Sequence, residues 1–243
     1  MDAAKSFSFP FEDRDWPSKL SVGTLISLVP ILNFAWSGYL VGIIRNVMNN
    51  STEVLPTWDD LGNKFSEGLI LFGAGLIYAF PILIAVCLPL GVSASSDLFA
   101  GNSNFQDLSQ RLIEAGGALL FCMLCFLVIY GLALSIAYPA ILILFAREGT
   151  FASCFKLGEA FRMIAKNPAA FLTAWGLSLV ASIGVGLIAS FVNLIFSFVP
   201  CIGWVVGMVL SFATGTYITA VYAHLFGQFG RVVLEEDRLL PAS

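Results

Sequence analysis

The chain has 243 residues, 58% of them hydrophobic and only 12% charged, with a mean hydropathy of +0.88. Soluble domains carry roughly a quarter charged residues, so this composition excludes an ordinary water-facing surface and selects lipid as the solvent. A net charge of -4 without any Lys/Arg block excludes nucleic acid as an expected partner. Cys87, Cys122, Cys125, Cys154 and Cys201 are odd in number and mostly lie in apolar runs, which argues against a disulfide framework.

Residues 1–19 form a polar lead with Phe7, Phe9, Phe11 and Trp16 spaced around Pro10. The alternation suggests an extended stretch whose rings favour the headgroup layer, against the alternative of a frayed tail. No secretory signal pattern is met, and the N-terminus is expected to be retained. Residues 20–229 read as a single polytopic membrane domain, and 230–243 as a cytoplasmic tail.

The first apolar run, about Leu20 to Ile44, carries Pro30. The second is Gly68 to Gly91, the third about Leu112 to Ala146 with Pro139, the fourth Pro168 to Val199, and the fifth Cys201 to about Phe229. At 1.5 Å rise per residue, about 20 residues cross a bilayer, so runs two to five are each long enough. The third must tilt, kink near Pro139 or project. The segment from about Val92 to Gln110, rich in Ser, Asn, Asp and Gly, is the expected outer loop.

The first run has two readings. As one span it divides the Lys and Arg residues four against eight; as a hairpin turning at Val29-Pro30 it leaves eleven on one side and only Arg111 across. The positive-inside rule prefers the hairpin, whose arms are short enough to dip in without crossing. Ser197-Phe198-Val199-Pro200-Cys201-Ile202-Gly203-Trp204 echoes Ser27-Leu28-Val29-Pro30-Ile31-Leu32-Asn33-Phe34 and predicts a second Pro-nucleated hairpin. Both termini then fall on the cytoplasmic side.

Between the third and fourth runs, Cys154, Leu157, Phe161 and Ile164 recur at helical spacing while Lys156, Glu159 and Lys166 line another side. This predicts a helix lying on the membrane surface. Leu61-Gly62-Asn63-Lys64-Phe65 has the same Leu-Gly-x-x-Phe form and suggests a second such segment. The predicted fold is therefore an all-α integral membrane bundle with a short N-terminal Pro30 hairpin, four longer transmembrane helices and two interfacial amphipathic segments.

Val29-Pro30-Ile31-Leu32-Asn33, Gly38-Tyr39, Arg45, Leu55-Pro56-Thr57-Trp58-Asp59-Asp60, Phe65 and Gly68-Leu69 together resemble a family of bacterial and archaeal membrane proteins known as domain of unknown function 4013. The match covers the first third at motif level and the rest in helix pattern only. The resemblance implies a compact polytopic domain in a bacterial or archaeal inner membrane, and supplies no catalytic residue.

Each chemical motif has a structural explanation. Thr57-Trp58-Asp59-Asp60 fits a capping box with Thr57 as N-cap better than a cation-binding mouth. Cys122 and Cys125 have Cys-x-x-Cys spacing but lie mid-helix without a second ligand pair, and zinc needs four ligands or three plus water; small buried residues at a helix contact fit better. His224, the single histidine, has Gln228 one turn on. It either titrates as a gate or joins helices by hydrogen bonding, and the second is favoured. Asn33 and Asn193 interrupt apolar runs and serve either a pathway or interhelix contacts. Gly38/Gly42 and Gly203/Gly207 read first as internal helix packing and second as dimer contacts.

No phosphate-binding Gly-x-x-x-x-Gly-Lys-[Ser/Thr] loop and no His-Glu-x-x-His pair occurs. Neither a catalytic residue, a metal site nor a cofactor is expected, and enzymatic activity is not. The expected function is a non-catalytic accessory, assembly or scaffold component of the membrane, with lipid and a membrane-protein partner or second copy as its company. The alternative is a passive channel or transporter for an uncharged or amphipathic solute, with Asn33, Asn193, His224 and Gln228 as the polar positions to examine; a membrane-embedded enzyme acting on lipid comes last.

Overall fold

The computed structural model describes the backbone of residues 2–100, 105–199 and 202–239, and the side chains among these except residues 3, 88–100, 105–120, 202 and 237–239. Within them the protein is all-helical: α1 (Ala3–Glu12), α2 (Trp16–Leu28), α3 (Asn33–Met48), α4 (Leu61–Ala100), α5 (Phe105–Glu148), a 3₁₀ turn (Phe151–Phe155), α6 (Leu157–Lys166), α7 (Pro168–Ser197) and α8 (Ile202–Leu239). Four stretches are long and apolar enough to cross a bilayer: Leu61–Cys87, Phe121–Glu148, Pro168–Ser197 and Gly203–Glu236.

The lead expected to be extended is helical. Asp2 caps α1 by accepting the Lys5 amide at 3.0 Å. Pro10 lies in the last turn of that helix, where little of the hydrogen-bond ladder is left to break. Burial of Ser6 and Phe9 against α8 supplies what the local sequence lacks.

α2 and α3 form the Pro30 hairpin, turning over residues 29–32. A Cβ on Gly23 of α2 would stand 2.6 Å from the Trp36 ring of α3, so the missing side chain is what lets the arms meet. α3 has 16 residues and reaches about 24 Å at 1.5 Å per residue, short of a hydrocarbon layer of ~30 Å. It is apolar nearly all round, with Ala35, Tyr39, Val41, Ile43 and Ile44 fully enclosed. Such a helix is a core element, not a lipid-facing one.

Neighbours close on α3 through glycines. A Cβ on Gly38 would meet Lys64 O of α4 at 1.9 Å, and one on Gly68 of α4 would meet Phe34 O at 1.7 Å. A Cβ on Gly227 of α8 would meet Val47 Cβ at 2.7 Å. Arg45, near the end of α3, donates from Nε to Ala146 O at 3.0 Å and from Nη2 to Glu67 Oε1 at 2.9 Å. It thereby satisfies one of the carbonyls left open at the C-terminus of α5. Gly149, at φ +66°, ends that helix. Trp58 stacks on Tyr39 with ring centroids 4.4 Å apart and donates from Nε1 to Lys19 O at 2.9 Å.

The capping expectation holds in kind but moves by three residues. Asp60, not Thr57, accepts the Asn63 amide at the start of α4. The Leu61–Phe65 segment is the first part of α4 rather than a separate surface helix. The expected 92–110 loop is largely helical too, since α4 continues to Ala100 and α5 begins at Phe105.

Residues Gly73–Tyr138 form a compact unit of their own, distinct from the unit comprising Met1–Phe72 and Pro139–Ser243. In the smaller unit Tyr130 Oη donates to Tyr78 O at 2.8 Å, while Phe80, Phe121, Leu124 and Ile129 stay exposed. Cys122 is exposed and Cys125 half-buried, so the expected burial of this pair is not met within the chain. Large apolar side chains pointing outward on a hydrophobic helix suit a lipid surround.

The expected amphipathic helix is present as α6, with Ala160 and Met163 turned into the protein and Leu157 and Phe161 exposed. Cys154 in the preceding turn is fully buried. α7 and α8 form the second hairpin; Pro200 itself lies outside the described residues. A Cβ on Gly203 would meet Phe196 O at 1.9 Å and one on Gly207 would meet Asn193 Oδ1 at 3.0 Å. Both Gly-x-x-x-Gly pairs thus serve packing within the chain, since Gly38 and Gly42 face Lys64 and Pro56.

Gly38→Ala is expected to lower stability in detergent by roughly 1–3 kcal/mol, the usual cost of overpacking. Gly62→Ala, whose methyl meets nothing within 4 Å, should be neutral or stabilising by about 0.4–1 kcal/mol. Equal shifts in thermal unfolding would contradict the α3–α4 contact. Burial also pushes the Cys154 thiol up, so less thiolate exists at mildly alkaline pH than for a free thiol. With Cys154 as the only cysteine, maleimide labelling in native membranes should be slow and should accelerate on denaturation.

Candidate functional site

The C-terminal half of α8 gathers polar side chains within an otherwise apolar helix. Tyr217, His224 and Gln228 fall on one helical face, and α1 lies antiparallel along it, since Asp2 meets Gln228, Ser6 meets His224 and Phe7 meets Tyr217. Tyr217 Oη donates to Phe7 O at 3.0 Å. Phe9 stacks on the His224 ring with centroids 4.3 Å apart.

Gln228 reads both backbone groups of Asp2. Its Oε1 accepts the Asp2 amide at 2.7 Å, and its Nε2 donates to Asp2 O at 3.0 Å. This pairing fixes the orientation of the amide. Nε2 also lies 3.2 Å from His224 Nδ1, and Ser6 Oγ lies 2.9 Å from the same nitrogen. Asp2 O and Ser6 Oγ take the two amide protons, the Ser6 hydroxyl proton turns to Nδ1 as its acceptor, and the imidazole proton belongs on the ring Nε2. Ser6, His224 and Gln228 are 0%, 3% and 4% exposed, which makes the satisfaction of every partner a condition of burial.

A serine hydroxyl beside a histidine nitrogen is also the beginning of a nucleophile–base pair. Here the hydroxyl is enclosed on all sides; its one proton is held by Nδ1 and its oxygen accepts from Gln228 Nε2. The arrangement ties α1 to α8 and leaves the Ser6 hydroxyl itself no face toward a reacting molecule.

The other two candidate positions lie elsewhere. Asn33 is exposed at the first turn of α3, with its amide bonded to Val29 O at 3.0 Å. Asn193 donates from Nδ2 to Ser211 Oγ at 3.1 Å between α7 and α8. Its Oδ1 is buried without a hydrogen-bond donor among the described residues, against Gly207. A groove of about 460 Å³ runs past Asn193, Ser197, Ser211 and Trp204. The structure thus joins His224 to Gln228 and keeps Asn33 and Asn193 apart from them and from each other.

Ser6, Asp2 and Phe9 escaped the sequence reading because the Phe alternation around Pro10 pointed to extended backbone. The signal was present in Asp2, a good N-cap residue, followed by Ser6 and Phe9 at helical spacing.

Long apolar helices, a buried short core helix and inward-turned polar groups define a multi-pass helical membrane protein. The chain belongs to the family described as Protein of unknown function (DUF4013), whose model matches residues 22–194, more than half of its length. The comparisons with curated proteins and with solved structures return no match.

Replacing His224 by Ala is expected to cost about 1–3 kcal/mol, the usual penalty for stranding buried polar partners, here Ser6 and Gln228. It should also loosen α1, read as faster proteolysis within residues 3–12. Ser8→Ala, on the exposed side of α1, should leave the cleavage rate unchanged.

Proposed function

We propose that this protein is a non-catalytic accessory, assembly or scaffold component of the membrane, working against lipid and against a partner membrane protein or a second copy. The observation that carries the reading is the dispersal of its membrane polar groups. His224 and Gln228 close on α1, Asn193 closes on Ser211, and Asn33 sits at a turn. No one path through the described residues gathers them. Meanwhile only 6% of the most apolar window of α4 and 11% of that of α7 is buried within the chain. These faces are available to lipid or to another apolar helix.

Both termini belong on the cytoplasmic side in this reading. Its support is the lysine and arginine distribution, with Arg111 alone between α4 and the body of α5. α6 then rests on that surface with Leu157 and Phe161 toward the acyl chains.

A second reading, passage of an uncharged or amphipathic solute, draws on the groove at Asn193 and its donor-less Oδ1. The two separate experimentally. Mild-detergent purification with mass spectrometry should yield a stoichiometric membrane-protein partner or a defined homo-oligomer. Single cysteines at positions 33 and 193 should differ, the first labelled from water and the second protected. Water-side labelling at 193, together with a protein that purifies as a monomer, would favour the solute reading.

A further inference from the structure

Beside the α1–α8 contact lies a second feature that neither tethering nor packing uses. A cavity of about 230 Å³ opens between α1, the end of α3 and α8. Lys5 and Arg231 line it, with Asn50 and Ser51 on one wall and the buried His224 and Gln228 on another. Of its charged lining groups two are cationic and one, Asp2, anionic, and Asp2 already accepts the Lys5 amide through Oδ1.

The donors are held in place by the fold. Ser51 donates its amide to Asn46 O at 2.9 Å, and Asn50 takes φ +54° to close that helix end, a conformation asparagine tolerates. Asn50 Oδ1 then accepts from Arg231 Nη1 at 3.1 Å, which leaves the Asn50 Nδ2 donor to spare. Arg231 Nε is buried and has no hydrogen-bond acceptor among the described residues; the Glu235 carboxylate stands off at 3.8 Å. A guanidinium, an ammonium, the Asn50 amide and the Ser51 hydroxyl around one small cavity form a donor-rich set.

We propose that this cavity is a binding site for a phosphate group. A tetrahedral oxyanion supplies several acceptors in a compact volume, which suits donors converging from α1, α8 and the turn that follows α3. A planar carboxylate would satisfy fewer of them. The group is carried either by free phosphate or by an anionic lipid headgroup at the membrane surface.

The test uses the full chain, purified in neutral detergent and titrated with inorganic phosphate, and in parallel reconstituted in phosphatidylcholine nanodiscs with and without phosphatidic acid. Thermal stabilisation and calorimetry are the readouts. Lys5→Gln and Arg231→Gln should each weaken binding about tenfold, the size expected for one charge-assisted hydrogen bond. Arg162→Gln on α6, outside the cavity, should leave it unchanged. Lys5 is exposed, so its variant remains informative if Arg231→Gln fails to fold. Response to inorganic phosphate identifies a soluble ligand, and response to phosphatidic acid alone identifies a lipid; either supports the site. Absence of both responses in the wild type, or equal binding by Lys5→Gln, overturns it.

Discussion

α3 cannot cross the hydrocarbon layer, yet it is too apolar to lie in water. Its 16 residues span about 24 Å, and its backbone ends need partners that lipid does not supply. The only stable outcome is a helix covered by the rest of the chain. α4 and α8 meet that requirement by approaching at Gly38, Gly68 and Gly227, where any side chain would collide. Arg45 then uses the same helix to hold Glu67 and a C-terminal carbonyl of α5. Removing the backbone closeness would leave Arg45 half-buried without its acceptors, which is costly for a charge. The assembly of the larger unit thus follows from one element being short.

How much of this was legible depends on whether the determining contact is local. The Pro30 hairpin could be read because proline restricts its own backbone and positive residues choose a side, both properties of the sequence. α6 could be read because its apolar and charged residues separate at helical period. α1 could not, because its helix is stabilised by residues more than two hundred positions away. Ser6 meets His224 and Asp2 meets Gln228 only once α8 has folded back beside the N-terminus. The same holds for the cap of α4, where Thr57 and Asp60 both qualify chemically and geometry selects Asp60. The 92–110 segment shows the reverse: polar composition suggested a loop, while helix continues through most of it.

The polar residues divide by what satisfies them. Those on α8 are met by α1, through the buried Ser6 and Phe9 and the backbone of the exposed Asp2, so the network closes between the two helices. Asn193 is satisfied on one side by Ser211, and on the other it presses on Gly207. Amides paired across helices join them, whereas conduction needs polar groups in series along a path.

Closed polar networks and open apolar faces have different consequences for a membrane protein. A closed network is worth nearly its full value only while every member is present, so α1 is either docked in one register or released. The open faces of α4 and α7 carry no such discrimination, since Leu, Ile and Phe pack against lipid and protein alike. Specific association therefore has to draw on polar or charged groups at the membrane surface. In the larger unit one such cluster lies where α1, the end of α3 and α8 converge around Lys5, Asn50 and Arg231. There directional hydrogen bonding and charge lie beside a helix whose docking depends on its polar contacts.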